Sequence, residues 1–304
     1  MKQFTLLSLI TLFIITGCNR INPDAVMQET LPMQTDYKLM TLAYYTDAPD
    51  NDAIWLRFYE TPRIIPFKKN AEGYEAMKAL LDVNSKNNIP LRVTLNTDFQ
   101  MTAVHVASDI EKKEFEKRYQ PEGSTRTELQ PVLPDVEDLH IIFDYMRDQG
   151  CATGLSELDY CIPFQYVVDG CYARAHKMRQ VLADKYGFDC QKVFSYEDPS
   201  AFLAVNTGEC CVYWWYHVAP LVTVWNVQKQ RIEKYVMDPS MFDTWVTIEQ
   251  WTGAQEDPTC SDAAEFGYSE ITPSAIYSPG GGTDPSYYYT NWTLSYYADL
   301  ETCD

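Results

Sequence analysis

Eight of the nine cysteines lie beyond residue 150, at 151, 161, 171, 190, 210, 211, 260 and 303; the ninth, Cys18, stands near the amino terminus. The second half of the chain therefore needs cross-links or thiol chemistry, and residues 19–150 need neither. Which of the two it needs depends on the compartment. Lys2 precedes an apolar run from Phe4 to Ile15. This is too short to cross a bilayer, which takes about 20 apolar residues, and it reads as a secretory signal. Export makes disulfides the first expectation for the eight cysteines, though spacing alone does not fix their pairing. Zinc is the weaker reading, because no pair of short Cys-x-x-Cys or Cys/His knuckles exists. No metal or organic cofactor is expected.

The run ends in Ile15-Thr16-Gly17-Cys18, which resembles a bacterial lipobox and implies cleavage before Cys18 and a lipid on its sulfur. The competing reading is an ordinary signal peptide with an incidental Cys18. Residues 1–17 then form the signal and residues 18–36, polar and holding Pro23 and Pro32, a tether. The expected product is an exported bacterial lipoprotein of the cell envelope, at the outer membrane or cell surface, touching the membrane through its lipid only. A formal charge of −19 argues against gripping nucleic acid, whose phosphates call for Lys and Arg.

Residues 37–118 read as a small α+β domain, β-β-α-β-β-α. YKLMTLAYY and AIWLRFYE have strand composition, Gly73 to Val83 has helical spacing, and Ile89 to Leu95 and Met101 to Ala107 alternate. Ser108 and Glu111 form a capping-box signature. The turn-rich residues 119–128 are the linker, and residues 129–304 the second domain. There Asp135 should cap a helix carrying Val136, Leu139, Phe143 and Met146, with Gly150 to stop it. The Tyr-rich stretch Ser286 to Tyr297 reads as core or edge strand.

The candidate chemistry sits between Cys171 and Asp238. Cys171, Ala175, Met178 and Leu182 share one helix face, and Gly170 breaks the preceding run, so Cys171 lies in the first turn. Unpaired N–H groups and the macrodipole there favour an anion such as a thiolate. Taken alone, Cys171 reads equally well as a disulfide half or a small buried residue. Among four histidines, His105 and His140 precede the cysteine-rich region. His176 lies about 140° round the helix from Cys171 at ~100° per residue. His217 remains, ending the aromatic strand Cys211 to His217, where a packed core residue is the plainer reading. Pro220 suggests an edge or a bulge. A second strand, Arg231 to Met237, closes on Asp238-Pro239. A turn centred between Val227 and Gln228 would set Asp238 directly opposite His217, about 5 Å apart at Cβ; a slip of one residue would separate their faces. Asp238 alone reads also as a turn-former. Together the three give a papain-like arrangement, in which the base activates the thiol and the carboxylate fixes the base.

These residues also carry a family resemblance. GCYARAHKMRQ from Gly170, CCVYWWYHV from Cys210 and VMDPSMF from Val236, in that order, resemble the protein-glutaminases, or protein deamidases. LQPVLPDVEDLHIIF and the Cys151 to Cys161 loop before FQYVVDG resemble the start of their mature domain. The likeness runs from about Leu129 to Ser240 and thins beyond Met241. It implies an α+β fold related to transglutaminases, with Cys171, His217 and Asp238 as catalytic residues. It also implies deamidation of protein-bound Gln through a thioester, and a pro-region at residues 37–118 that covers the cleft until an activating protease removes it. Cleavage near Glu128 would free the catalytic domain from its anchor. Protein or peptide substrates bearing Gln are the implied partners. The rivals are a transglutaminase or a papain-like protease with the same triad, and a surface binding lipoprotein with Cys171 locked in a disulfide. A free Cys171 leaves seven cysteines, hence one further unpaired thiol, expected at the vicinal Cys210-Cys211.

Overall fold

Buried apolar residues from each of the first strands build one core. In a computed structural model, residues 37–117 and 134–303 are described; the signal segment, Cys18, the tether and the linker at 119–128 lie outside them. Strands β1 (Lys38–Met40), β2 (Leu42–Asp47), β3 (Ala53–Phe58) and β4 (Ile64–Lys68) are followed by helix α1 (Tyr74–Ser85). Then come β5 (Leu91–Leu95), β6 (Met101–Val106) and α2 (Asp109–Glu116). They form two three-stranded antiparallel sheets, β1-β5-β6 and β2-β3-β4. Met40, Leu42, Leu56, Phe58, Phe67, Leu81 and Val93 fill the space between them. The run expected as one strand divides at Thr41, whose N–H donates to Glu60 Oε2 at 2.7 Å, so Met40 and Leu42 serve different sheets. Strand β4 was not foreseen, because Pro66 interrupts it; the sheet edge tolerates the missing donor. The capping box at Ser108 and Glu111 forms as expected.

The second core holds α3 (Leu139–Asp148), α4 (Cys171–Tyr186), β7 (Gln191–Glu197), β8 (Leu203–Asn206) and β9 (Cys211–Trp214). Beyond these lie β10 (Tyr216–Asn226), β11 (Arg231–Val236), α5 (Ile248–Gly253), β12 (Phe266–Pro273) and α6 (Tyr288–Tyr297). The antiparallel sheet β11-β10-β7-β12 carries α4. Helix α3 begins at Leu139, because Asp135 instead bridges to Trp225. The Tyr-rich stretch is helix α6 rather than a strand. Aromatic β-propensity gives way to helical spacing, since Thr290, Thr293, Leu294 and Tyr297 bury one face, and α6 packs on α4. With the sheet also against it, α4 is buried nearly all round, including Arg174, His176 and Arg179.

Three disulfides join Cys151 to Cys161, Cys210 to Cys303 and Cys211 to Cys260. The vicinal cysteines are thus both bridged, each to a different partner. The spare thiol is Cys190, buried at the start of β7, while Cys171 is free. Burial pushes the Cys190 thiol up to about 12, which makes it an inert core residue.

Residues of β2, β3 and the β3–β4 turn pack directly on the second core. Arg57 Nε donates to Glu197 Oε1 at 2.6 Å with both side chains fully buried, and Tyr44 donates to the same oxygen at 2.8 Å. Glu197 Oε2 is buried without a hydrogen-bond partner. Burial pushes the Glu197 carboxyl up to about 7, against the lowering pull of Arg57, and Oε2 is the natural proton site. Because the folded value lies above the ordinary one near 4.5, this group's contribution is fully present below pH 4.5 and is lost as pH rises through 7. Arg57→Met leaves the carboxylate without its cation and should destabilise the chain by about 3 kcal/mol. The loss should be larger at pH 8 than at pH 5, where a proton on Oε2 substitutes for the guanidinium. Denaturant melts at the two pH values test this; a loss below about 1 kcal/mol at pH 8 would contradict it.

Candidate active site

Helix α4 starts at Cys171 because Gly170 adopts φ +78°, and a Cβ there would lie 2.8 Å from the Tyr297 ring. Glycine is thus required both by the backbone and by the close approach of α6. Helix and sheet bring Cys171 against β10, where the Val218 backbone hydrogen-bonds the sulfur. That N–H is available because β11 ends at Val236. Pro220 lies inside β10, not at an edge or bulge. Its carbonyl accepts from Met237 N–H at 3.0 Å, so its nitrogen, which has no hydrogen to donate, faces the same side, where the β11 ladder has just stopped.

The hairpin register differs from the expected one by two residues. Leu221 pairs with Val236 and Asn226 with Arg231, so the turn centres between Gln228 and Lys229. A slip of two keeps every side chain on its face. His217 and Asp238 are therefore diagonal rather than opposite, and they still meet: His217 Nε2 donates to Asp238 Oδ2 at 2.7 Å. The same oxygen accepts from Trp251 Nε1 at 2.9 Å, and Oδ1 accepts from the Ser240 hydroxyl and, at 3.3 Å, its N–H. Burial alone would raise the Asp238 carboxyl; the charge and hydrogen bond of His217, then Ser240 and Trp251, hold it down at about 2. The imidazole is sandwiched between Trp214, stacked at 4.5 Å and 9°, and Trp251 at 5.4 Å. His217 Nδ1 is buried and has no hydrogen-bond partner. Such a ring, fixed through one nitrogen and free at the other, can take up and return a proton there.

His217 and Asp238 thus meet, Cys171 packs in the same core as Val218 of β10, and all three are shielded: Cys171 is 2% exposed, His217 1% and Asp238 3%. Burial pushes the Cys171 thiol up to about 12; Arg174 and the Val218 N–H pull it down, and Asp169 and Asp238 add to the rise. Burial thus outweighs the helix-start effect expected from sequence. The β3–β4 turn bonds to neighbours of these residues. Thr61 donates through Oγ1 to Asp169 Oδ2 at 2.9 Å, and its carbonyl accepts from Trp215 Nε1 at 2.8 Å. The Pro62 carbonyl accepts from Trp215 N–H at 3.0 Å. Trp214, Val218, Trp251, Ser240 and Asp169 escaped the sequence reading; only the Asp-Pro-Ser turn at 238–240 carried a local signal. His176 is excluded from the site, its ring lying between Lys192 Nζ at 2.9 Å and the Asp284 carbonyl at 3.1 Å. Among the described residues, no cluster of His, Cys, Asp or Glu could hold a metal ion.

The thiol at a helix start and the aspartate-held imidazole on the antiparallel sheet belong to one mixed α+β core. A family model described as glutaminase matches residues 139–255. The crystal structure of pro-protein-glutaminase superposes with a TM-score of 0.77 at 31% identity, covering 89% of this chain and 96% of that one. The crystal structure of protein-glutaminase matches at 38% identity with a TM-score of 0.52, covering 57% of this chain and 92% of that one. The NMR structure of protein-glutaminase from Chryseobacterium proteolyticum matches at 38% identity with a TM-score of 0.51, over 57% and 91%. Comparison with curated protein sequences finds no match. The chain belongs to the protein-glutaminase family.

Proposed function

We propose that the chain is a cysteine-dependent protein-glutaminase that converts protein-bound Gln to Glu and releases ammonia. The observation that carries the reading is the match to pro-protein-glutaminase along 96% of that chain, together with a free, buried Cys171 at a helix start and an imidazole whose Nδ1 is unpartnered. Cys171 loses its proton to His217 Nδ1 and attacks the γ-amide carbon. The C–N bond then breaks as His217 returns that proton to the leaving nitrogen, which departs as ammonia. The γ-glutamyl thioester is hydrolysed by a water deprotonated at the same nitrogen, giving Glu and the free thiol. Asp238 holds the ring through Nε2. The Cys171 N–H and the Val218 N–H are the oxyanion donors, and losing one such donor typically costs about 3 kcal/mol.

Residues 37–118 act as a pro-region: the Thr61-Pro62 turn lies over Asp169 and Trp215, two residues before Cys171 and His217 respectively. Proteolysis near Glu128 exposes the cleft. Residues 1–17 direct export, Cys18 takes the lipid, and the same cut frees the enzyme from the membrane.

The test is incubation with a Gln-containing protein. Ammonia should appear while substrate mass rises by about one unit per event, without fragments or isopeptide cross-links. Fragments would favour a thiol protease, and cross-links to added Lys donors a transglutaminase. Trp251→Phe keeps the stacked ring and removes one donor to a buried carboxylate. It should lower kcat about tenfold with KM little changed, measured on folded protein of unaltered melting temperature. An equal change in KM alone would assign Trp251 to substrate binding instead.

A further inference from the structure

Asp169 has no part in the mechanism above, yet it is 2% exposed and stands two residues before Cys171. Its Oδ1 accepts from Gly170 N–H at 2.6 Å and its Oδ2 from the Thr61 hydroxyl at 2.9 Å. The Tyr297 hydroxyl also hydrogen-bonds the carboxylate. The neighbouring cation, Arg174, is turned to main chain: its Nη1 donates to the Tyr166 and Asp169 carbonyls at 2.6 and 2.7 Å. The charge of Asp169 opposes ionisation of Cys171. A buried negative charge beside a thiol that must ionise works against the first step, so its benefit must come from a later partner.

We propose that Asp169 is the residue that selects carboxamide over carboxylate at this site. This rests on the deamidase reading. Once the β3–β4 turn leaves, Oδ2 loses the Thr61 donor and accepts an N–H of the substrate γ-amide in its place. The position seeks a hydrogen-bond donor, and a primary amide offers two. As His217 protonates the leaving nitrogen, positive charge grows beside the carboxylate and is stabilised there. The product γ-carboxylate has no N–H to offer and carries a like charge. It is rejected by repulsion, although the N–H groups near Cys171 would otherwise attract it. Asp169 thus favours both binding of Gln and release of Glu.

The experiment uses the full chain carrying an engineered protease site between residues 118 and 133, cleaved before assay. Substrate is a Gln peptide; inhibitors are the same peptide with Glu or with Met, a neutral residue without a donor, at the Gln position. In Asp169→Asn, kcat/KM should fall about tenfold, and inhibition by the Glu peptide should tighten about tenfold while that by the Met peptide stays unchanged. A general loss of structure would move both inhibitors together. Unchanged inhibition by the Glu peptide overturns the assignment. Should the variant fail to fold, the cleaved wild type decides: the Glu peptide should bind about tenfold more weakly than the Met peptide, and equal or tighter binding overturns the assignment. Wild type that releases no ammonia overturns the deamidase reading itself; wild type that releases ammonia without rejecting the Glu peptide overturns the role of Asp169 alone.

Discussion

Cys171→Ala should lower ammonia release by at least about four orders of magnitude, because in the proposed mechanism its sulfur carries the acyl intermediate. The described residues hold one other free thiol, Cys190, which burial in the core keeps inert. His217→Ala should fall nearly as far, and Asp238→Asn by about 10³-fold or more, since the ring loses the acceptor that fixes its Nε2 proton. In the proposed mechanism the three act as one unit, so Cys171→Ala combined with His217→Ala should be no worse than Cys171→Ala alone. Initial rates of ammonia release on folded variants give these ratios. A Cys171→Ala variant that keeps a tenth of wild-type activity would refute the nucleophile.

Uncovering the site has the second large effect. In the intact chain the Thr61-Pro62 turn occupies the polar groups of Asp169 and Trp215, and burial holds the Cys171 thiol near 12. Cleavage between residues 118 and 133, followed by separation of the N-terminal domain, should remove that burial on the proposed pro-region role. It should raise deamidation about a hundredfold, the apparent affinity of a covered site being reduced by the fraction of time it is open. Alkylation of Cys171 by iodoacetamide at pH 7 should accelerate in parallel, because the thiolate is the reactive form and burial no longer opposes its ionisation. Equal activity before and after cleavage would retain the enzyme and discard the inhibitory role of residues 37–118.

Much of this was legible in sequence because it is local. Gly170 before a helical Cys171, alternation in the first domain, and Ser108 with Glu111 each report structure within a few residues of themselves. The His217–Asp238 contact was reached through a turn placed one residue too early. It survived because the displaced register is two residues out, and a strand repeats its faces every two. Non-local features were not legible. Helix α6 reads as strand because tyrosine favours sheets, and only packing against α4 shows which face its buried Thr290, Thr293 and Leu294 occupy. The partner of Cys210 lies 93 residues away and that of Cys211 49 residues away, beyond any inference from spacing. Trp251 reaches Asp238 from a helix whose sequence gives no sign of it. The Arg57–Glu197 pair spans 140 residues and both cores.

The most direct test of the account is the mass of the enzyme during turnover. Cleaved chain mixed with a Gln peptide and quenched within milliseconds in acid, which protects thioesters, should carry an adduct equal to the peptide less ammonia. Digestion should locate it on the fragment that begins the α4 helix, at Cys171, and it should be absent from Cys171→Ser. Sustained ammonia release with no adduct at any quench time, and with activity preserved in Cys171→Ser, would contradict the covalent mechanism and the site built around it.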